Sequence, residues 1–444
     1  MNMKHLNTDH GYLAVHSAKL LCIAPLTPQA NYGTVSVSDP RAPDTGFYGI
    51  FAARRGFPFR ARMVLRSALL SATALVAVAA PGWTQVINGG AVEIVDGDGT
   101  AGAGGTGTRP SPWNVGDDLY VGNSSTGELK IIAGGEVSSG DSQSYIGNSA
   151  GSTGTVTVTG ANSSWTNTVD VVVGNSGTGT LTIADGGAVS NTDAIIGLFS
   201  TSTGTVTVTG ANSSWTNADD LDVGRWGTGT LTIADGGVVQ AGVVRVARGS
   251  TSSGTLNIGA AAGDTAVAAG TLTASSVRFG TGTGKLVFNH TDTDYTFAAA
   301  ISGAGSVNVL SGTTKLTGTN TYSGGTTISG GTLQIGDGTT TGSLSGDVTN
   351  NSALAFNRSD ALSYGGDISG TGSLTQSGAG TLTLTGASSH TGGTTISGGT
   401  LQIGDCGTTG SLSGDVTNNS ALAFNRSDAL SYGGDISGTG SLTQ

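Results

Sequence analysis

A 25-residue repeat constrains the fold of this sequence more than any other feature. Short runs that alternate Thr with Val, Leu or Ile recur at this spacing, and their first threonines are Thr155, Thr180, Thr205, Thr230 and Thr255. The alternation places the aliphatic side chains on one face of a strand and the threonines on the other. A unit this short cannot bury its own apolar face, but a stack of such units can. The repeat therefore predicts a β-solenoid.

The units also pair into a 50-residue super-repeat, because GTVTVTGANSSWTN begins at both Gly154 and Gly204. Gly-rich segments between the runs supply the positive φ angles that corners need. Coils stacked about 4.8 Å apart let each strand hydrogen-bond to the coils above and below. We therefore predict an all-β fold, a right-handed parallel β-helix of about 25-residue rungs, over residues 115–300. The side chains expected to point inward include Leu181, Ile183, Leu231 and Ile233.

The second half uses a longer unit. Residues 324–376 and 392–444 match at 51 of 53 positions with a shift of 68, and the exceptions pair Gly338 with Cys406 and Thr339 with Gly407. Near-identity over this length indicates a duplicated structural unit. We expect the β-helix to continue over 301–444, with roughly three rungs in each 68-residue unit.

The N-terminal region has the order of a secretory signal peptide. A basic run from Arg54 to Arg66 precedes the apolar stretch from Ser67 to Ala80, which ends in small residues. This order predicts a signal peptide at 63–80, cleaved at Ala79 or Ala80. The apolar stretch is too short to cross a bilayer of about 30 Å as a helix.

Residues 1–62, before the signal peptide, are expected to lie outside the fold. Residues 1–62 are interpreted as a leader extension or as the product of a start codon placed too early, since Met63 opens a leader of ordinary length. Residues 81–114 are interpreted as a Gly-rich linker or cap. After cleavage only Cys406 remains, so no internal disulfide is expected.

The charge of the body excludes one class of partner. Residues 86–444 hold ten Lys and Arg against 26 Asp and Glu, a net charge of −16. Nucleic-acid binding depends on Lys and Arg that neutralise phosphates. We therefore expect no DNA or RNA partner.

Two stretches carry a family resemblance. GTTKLTGTNTYSGGTTISGGTLQIGDG from Gly312 and GAGTLTLTGASSHTGGTTISGGTLQIGD from Gly378 resemble the autotransporter-associated β-strand repeat of bacterial autotransporter passengers. The resemblance implies secretion, export through a C-terminal outer-membrane β-barrel, and display or release of a β-helical passenger. It also implies a structural role in adhesion or aggregation, with host cells, matrix, glycans or further copies of the chain as partners.

One feature departs from the family pattern. The sequence stops at Gln444, inside what resembles the start of another repeat, without barrel strands. We expect membrane attachment only through a barrel absent from this chain. The expected location is the cell surface or the medium, and the periplasm if there is no barrel.

The residues give little support to a catalytic function. Ser142 lies in Gly-Asp-Ser-Gln-Ser, but a chymotrypsin-like site needs an upstream histidine, and His290 and His390 both lie downstream. Asp193 and Asp220 resemble two polygalacturonase carboxylate motifs, although the Gly-His-Gly and Arg-Ile-Lys motifs are missing. We therefore expect no catalysis, cofactor or metal site, and keep a polysaccharide-acting β-helix enzyme or an inactive fragment as alternatives.

Three tryptophans are the candidates for surface contact. Trp165 and Trp215 occupy equivalent positions of the 50-residue unit, and Trp226 lies nearby. An exposed aromatic ladder would bind sugars or a partner, whereas a buried one would pack against neighbouring rungs.

Overall fold

The computed structural model describes residues 84–98, 107–140 and 142–444, and before them the backbone of four short strands. These strands form a sheet within the unit Met1–Ala77. Their bounds are Leu6–Asn7, Tyr12–Ala14, Val35–Val37 and Tyr48–Ile50. The expected signal peptide, including Ala79 and Ala80, lies outside the described residues, so its cleavage site stays a prediction.

The unit Val78–Gln444 is a parallel β-helix, which confirms the predicted fold class. No described residue of this unit is helical, and none of the described chain forms a helix able to cross a membrane. Each coil runs along up to three faces, and the strands of successive coils pair in parallel.

Face 1 is one sheet of 15 strands between Ala91 and Leu412. Its strands are Ala91–Asp96, Gly107–Arg109, Thr126–Ile132, Thr153–Thr159, Thr178–Ala184, Thr203–Thr209, Thr228–Ala234, Ser253–Gly259, Thr283–Asn289, Ser306–Ser311, Thr326–Ile328, Val348–Asn350, Ile368–Ser369, Ala387–Ser388 and Ser411–Leu412.

Face 2 follows face 1 along the chain and consists of a seven-stranded sheet and then an eight-stranded sheet. The first contains Trp113–Asn114, Glu136–Ser139, Ser164–Asn167, Ala188–Asn191, Ser214–Asn217, Val238–Gln240 and Thr271–Thr273. The second contains Tyr295–Phe297, Thr313–Leu316, Thr332–Ile335, Ala353–Phe356, Ser373–Gln376, Thr394–Ile396, Val416–Asn418 and Ile436–Ser437.

Face 3 closes the coil and consists of a nine-stranded sheet and then a five-stranded sheet. The first contains Gln85–Ile87, Leu119–Val121, Ser144–Ile146, Val171–Val173, Ala194–Ile196, Leu221–Val223, Val243–Val246, Ser276–Phe279 and Ala300–Ser302. The second contains Leu362–Tyr364, Thr381–Leu384, Thr400–Ile403, Ala421–Phe424 and Ser441–Thr443.

The 25-residue period sets the strand register of face 1. Thr153 pairs with Thr178, Thr178 with Thr203, and Thr203 with Thr228. The aliphatic residues of these strands, which include Leu181, Ile183, Leu231 and Ile233, are fully buried as predicted. Burial of each such side chain contributes about 1.5–3 kcal/mol. The inward ladders are therefore the main source of stability.

Coils of the second half are shorter. Thr326 on face 1 pairs with Val348, and Val348 with Ile368, so paired positions lie closer together in the sequence than in the first half. The duplicated unit therefore covers more than the three rungs expected from the 25-residue period. Thr326–Ile328 lies on face 1, whereas its copy in the second unit, Thr394–Ile396, lies on face 2. Each copy thus spans three coils and one further face, and identical strands pack on different sides of the β-helix.

Glycines at the corner after face 3 let one coil lie directly on the next. Gly174 has φ of +75°, and a Cβ there would lie 2.4 Å from the carbonyl oxygen of Thr203. A side chain would therefore be strained by both the backbone angle and the neighbouring coil.

Candidate functional site

Trp165 and Trp215 are buried inside the β-helix, so the surface-contact interpretation of these two residues is wrong. Their exposed fractions are 1% and 0%. The indole of Trp165 donates to the hydroxyl of Ser139 at 2.9 Å, and that of Trp215 to the side-chain carbonyl of Asn191 at 2.7 Å. Both rings occupy inward positions of face 2 strands, where burying a large apolar ring is more favourable than leaving it in water.

Trp226, in contrast, is 50% exposed at the corner between faces 3 and 1. Its ring covers Gly249 of the next coil, because a Cβ at Gly249 would meet Cε3 of the indole at 2.2 Å. Phe199 is 52% exposed at the matching corner one coil earlier. These aromatic side chains form an exposed apolar edge, which we call the aromatic corner.

A charged cavity opens on the outer surface of face 3, and its lining reaches the residue before Trp226 of the aromatic corner. It has a volume of about 240 Å³. Arg225, which lines the cavity, directly precedes Trp226 in the chain. The lining side chains are Asp170, Asp193, Ala194, Ile195, Asp220, Asp222, Arg225, Arg245 and Arg248.

Asp222 contacts all three arginines of the cavity. Its Oδ2 accepts a hydrogen bond from Nη1 of Arg248 at 3.0 Å and lies 3.6 Å from Nε of Arg225. Its Oδ1 lies 3.7 Å from Nη1 of Arg245 and accepts no hydrogen bond. Asp222 itself is only 4% exposed. One buried carboxylate therefore holds three guanidinium groups that reach the surface.

Asp193 and Asp220, the two carboxylates singled out in the sequence, do lie together in this cavity. Oδ1 of Asp193 accepts a hydrogen bond from the backbone N–H of Asp220 at 2.8 Å. Asp220 accepts from the N–H of Val243 at 3.0 Å and pairs with Arg245 at 2.5 Å. Partial burial acts to lower the pKa of Arg245, but pairing with Asp220 raises it overall. Both oxygens of Asp220 are thus engaged in contacts that hold coils together.

A second polar group lies on earlier coils of the same face. Tyr120 and Tyr145 stack with ring centroids 5.0 Å apart. The hydroxyl of Tyr120 donates to Asp118 at 3.0 Å, and that of Tyr145 to Gln143 at 2.7 Å. Burial raises the pKa of both Asp118 and Tyr145. The side chain of Ser142 acts in the other direction and lowers the pKa of Asp118, which places its hydroxyl beside this carboxyl group.

The two histidines of the β-helix are core residues. Both are fully buried, and Nε2 of each contacts a threonine hydroxyl: His290 contacts Thr314 at 2.8 Å, and His390 contacts Thr394 at 3.1 Å. Burial lowers the pKa of both imidazoles. Within the described ranges, no group of three or more His, Cys, Asp or Glu is arranged to hold a metal ion.

Sequence reasoning missed Phe199, Asp222 and the arginines of the cavity. A signal for them exists, because four of the ten Lys and Arg after residue 85 fall between 225 and 278. The strand register places Asp222 opposite Arg245 of the next coil. The coil period therefore places these charged residues in one patch.

Comparison with known proteins bears on the second half of the chain. Residues 311–335 and 374–403 match the family model described as the passenger-associated transport repeat. The chain carries the repeat of autotransporter passengers. This confirms the resemblance found at Gly312 and Gly378. The first passenger repeat ends on face 2 and the second on face 3, so the repeats do not share one orientation.

Part of the chain is also similar to a protein named as an autotransporter adhesin. A 45-residue stretch is 58% identical to the "Adhesin BmaC autotransporter" of Brucella suis biovar 1 (strain 1330). The match covers 10% of this chain and 1% of that adhesin. The match thus relates a short part of this chain to a short part of a far longer protein.

Proposed function

We propose that this chain is an adhesin-type autotransporter passenger that acts at the cell surface or in the medium by binding and without catalysis. The observation that supports this best is the presence of two passenger repeats within one continuous β-helix. The partial match to an autotransporter adhesin points in the same direction.

The geometry supports a binding role along the lateral surface. The corners of successive coils repeat along one axis, so contacts of the same kind recur at about 4.8 Å intervals. Many weak contacts of this kind raise avidity without a deep pocket. Host cells, matrix, glycans and further copies of the chain remain the proposed partners.

Catalysis by Asp193 and Asp220 is the alternative that the cavity raises. A glycosidase needs one carboxylic acid to donate a proton and one carboxylate to act as base or nucleophile. Asp220 is instead paired with Arg245 and with the backbone of the next coil. These contacts favour a structural and binding role for the pair.

The adhesin proposal is tested by fusing the full chain to a surface anchor on a non-adherent bacterium. The expected result is increased attachment to cultured host cells or to matrix proteins, or increased clumping of the bacteria. The same bacterium displaying an unrelated β-helix of similar length is the control. Attachment and clumping equal to that control would refute the proposal.

A further inference from the structure

We propose that the cavity beside the aromatic corner is a binding site for an uncharged oligosaccharide that runs along the axis of the β-helix. This inference deepens the proposed adhesin function, because it names the class of ligand that one part of the surface takes. It is carried by the chemistry of the cavity and by its place next to exposed aromatic rings.

The polar groups of the cavity both donate and accept hydrogen bonds. The guanidinium groups of Arg225, Arg245 and Arg248 are donors only, and the aspartates are acceptors only. Sugar hydroxyls do both, so neighbouring hydroxyls are able to bridge an arginine and an aspartate.

Asp222 holds the donors of the cavity in place. It is only 4% exposed, and its oxygens lie 3.0 Å from Nη1 of Arg248 and 3.7 Å from Nη1 of Arg245. Its Oδ1 is closed to solvent, so a ligand meets the arginines and not this oxygen. The three arginines around this carboxylate fix its position before any ligand arrives.

The charge of the site favours an uncharged ligand over an anionic one. Four aspartates and three arginines line the cavity, so the lining has no excess of positive charge. The surrounding body carries ten Lys and Arg against 26 Asp and Glu. An acidic polysaccharide would be repelled by this field.

The aromatic corner lies outside the lining of the cavity, and the proposed site extends from the cavity onto it. Phe199 and Trp226 expose half of their surface on consecutive coils, and Arg225 connects Trp226 to the cavity. The C–H face of a sugar ring packs on such a ring while its hydroxyls reach the polar groups beside it. Neither side chain is needed for the core, since both point away from it.

The spacing of the carboxylates suggests a chain rather than a single sugar. Asp170, Asp193 and Asp220 precede the face 3 strands of three successive coils, which lie about 4.8 Å apart. One ring of a linear oligosaccharide advances by a similar length. Each coil would therefore meet the next ring in an equivalent position.

The site is tested by titrating the purified full chain in a calorimeter with neutral hexasaccharides of glucose, mannose or galactose. Hexagalacturonate and its methyl ester are compared in the same way, because they share rings and differ in charge. We expect at least one neutral hexasaccharide to bind, and the methyl ester to bind more tightly than the free acid. Binding of none of the neutral sugars, or tighter binding of the free acid, would overturn the proposal.

Two variants locate the site. Trp226→Ala removes the exposed ring, and Arg248→Gln removes a donor whose side chain is 45% exposed. Each should weaken binding by roughly tenfold, as expected for loss of one strong contact. Lys285→Gln is the control, since Lys285 is an exposed cation on face 1. Unchanged binding by both test variants, or an equal loss in Lys285→Gln, would contradict the site.

The outcomes separate this inference from the adhesin proposal. If displayed chains attach to cells and the Trp226→Ala and Arg248→Gln chains attach equally well, the adhesin proposal stands and the glycan site fails. If purified protein binds a neutral hexasaccharide but displayed chains gain no attachment, the site stands and the adhesin proposal fails.

Discussion

Trp165 and Trp215 lie two coils apart in one inner column of face 2, and Val189 separates them. The column continues the alternation in the other direction with Val137 and Trp113. Coils about 4.8 Å apart bring the side chains of neighbouring coils into contact. A large ring is therefore followed by a small aliphatic residue in the next coil. Because this alternation needs two coils, it explains why the sequence repeats every 50 residues.

The first prediction compares a buried tryptophan with an exposed one. Trp215→Ala should lower the free energy of unfolding by about 3–5 kcal/mol, because it opens a cavity. It also removes the donor to Asn191. Trp226→Ala should cost less than about 1 kcal/mol, since surface substitutions have small effects. Urea unfolding followed by circular dichroism measures both, and equal losses would show that Trp215 is not a core residue.

A buried histidine and a buried tyrosine are related by the shift of the duplicated unit. Tyr322 and His390 occupy matching positions under this shift, and both are fully buried. The hydroxyl of Tyr322 lies 2.6 Å from Oγ1 of Thr326, and Nε2 of His390 lies 3.1 Å from Oγ1 of Thr394. Nδ1 of His390 has no hydrogen-bond partner. The first copy of the unit thus has a tyrosine in the matching position, and its polar group has a hydrogen-bond partner.

The second prediction follows from this pair. Burial lowers the pKa of His390 below the unfolded value of about 6.5. The unfolded chain then binds more protons, so stability is full above the unfolded pKa and falls as the pH drops toward the folded pKa. His390→Tyr should therefore raise the urea midpoint at pH 5 more than at pH 8.

A control accompanies this measurement. His290→Gln tests the other buried imidazole, whose Nε2 contacts Thr314 at 2.8 Å and whose pKa is also lowered by burial. It should reduce the pH dependence between pH 5 and pH 8 but lower stability at pH 8, because the buried ring is lost. An unchanged pH dependence in both variants would mean that neither imidazole opposes protonation in the fold.

Much of the fold follows from the sequence because alternation and period act locally. The alternation from Thr178 to Ala184 predicts which side chains point inward, and the 25-residue spacing predicts which strands pair. The positions of the strands in the second half are harder to predict, since the 68-residue repeat is not a whole number of coils. Only the structure shows that a copy such as Thr394–Ile396 moves to a different face.

The candidate site was not predictable in the same way. Asp222 and Arg245 lie on successive coils, and they meet because both corners before Arg245 are shorter than those before Asp222. Burial of Trp165 depends on the register of its strand, which the sequence motif does not state. Charge clusters that form across coils require the exact length of each corner.

The third prediction concerns the buried carboxylate of the site. Asp222→Asn removes the charge that three arginines share, and it should destabilise the fold by about 1–3 kcal/mol. The value is below that of a fully buried pair because the arginines reach solvent. Asp294→Asn, which removes the exposed partner of Lys315, should leave the urea midpoint nearly unchanged. Equal effects of the two substitutions would show that Asp222 has no special role in holding the coils.

The fourth prediction separates backbone strain from coil contact. Gly151 and Gly174 have nearly the same φ, +77° and +75°. A Cβ at Gly151 would meet nothing within 4 Å, whereas one at Gly174 would lie 2.4 Å from the carbonyl oxygen of Thr203. Gly151→Ala should cost about 1–2 kcal/mol from the left-handed backbone alone. Gly174→Ala should cost clearly more in urea unfolding, because the next coil must also move, and equal losses would mean that the coils are not in direct contact there.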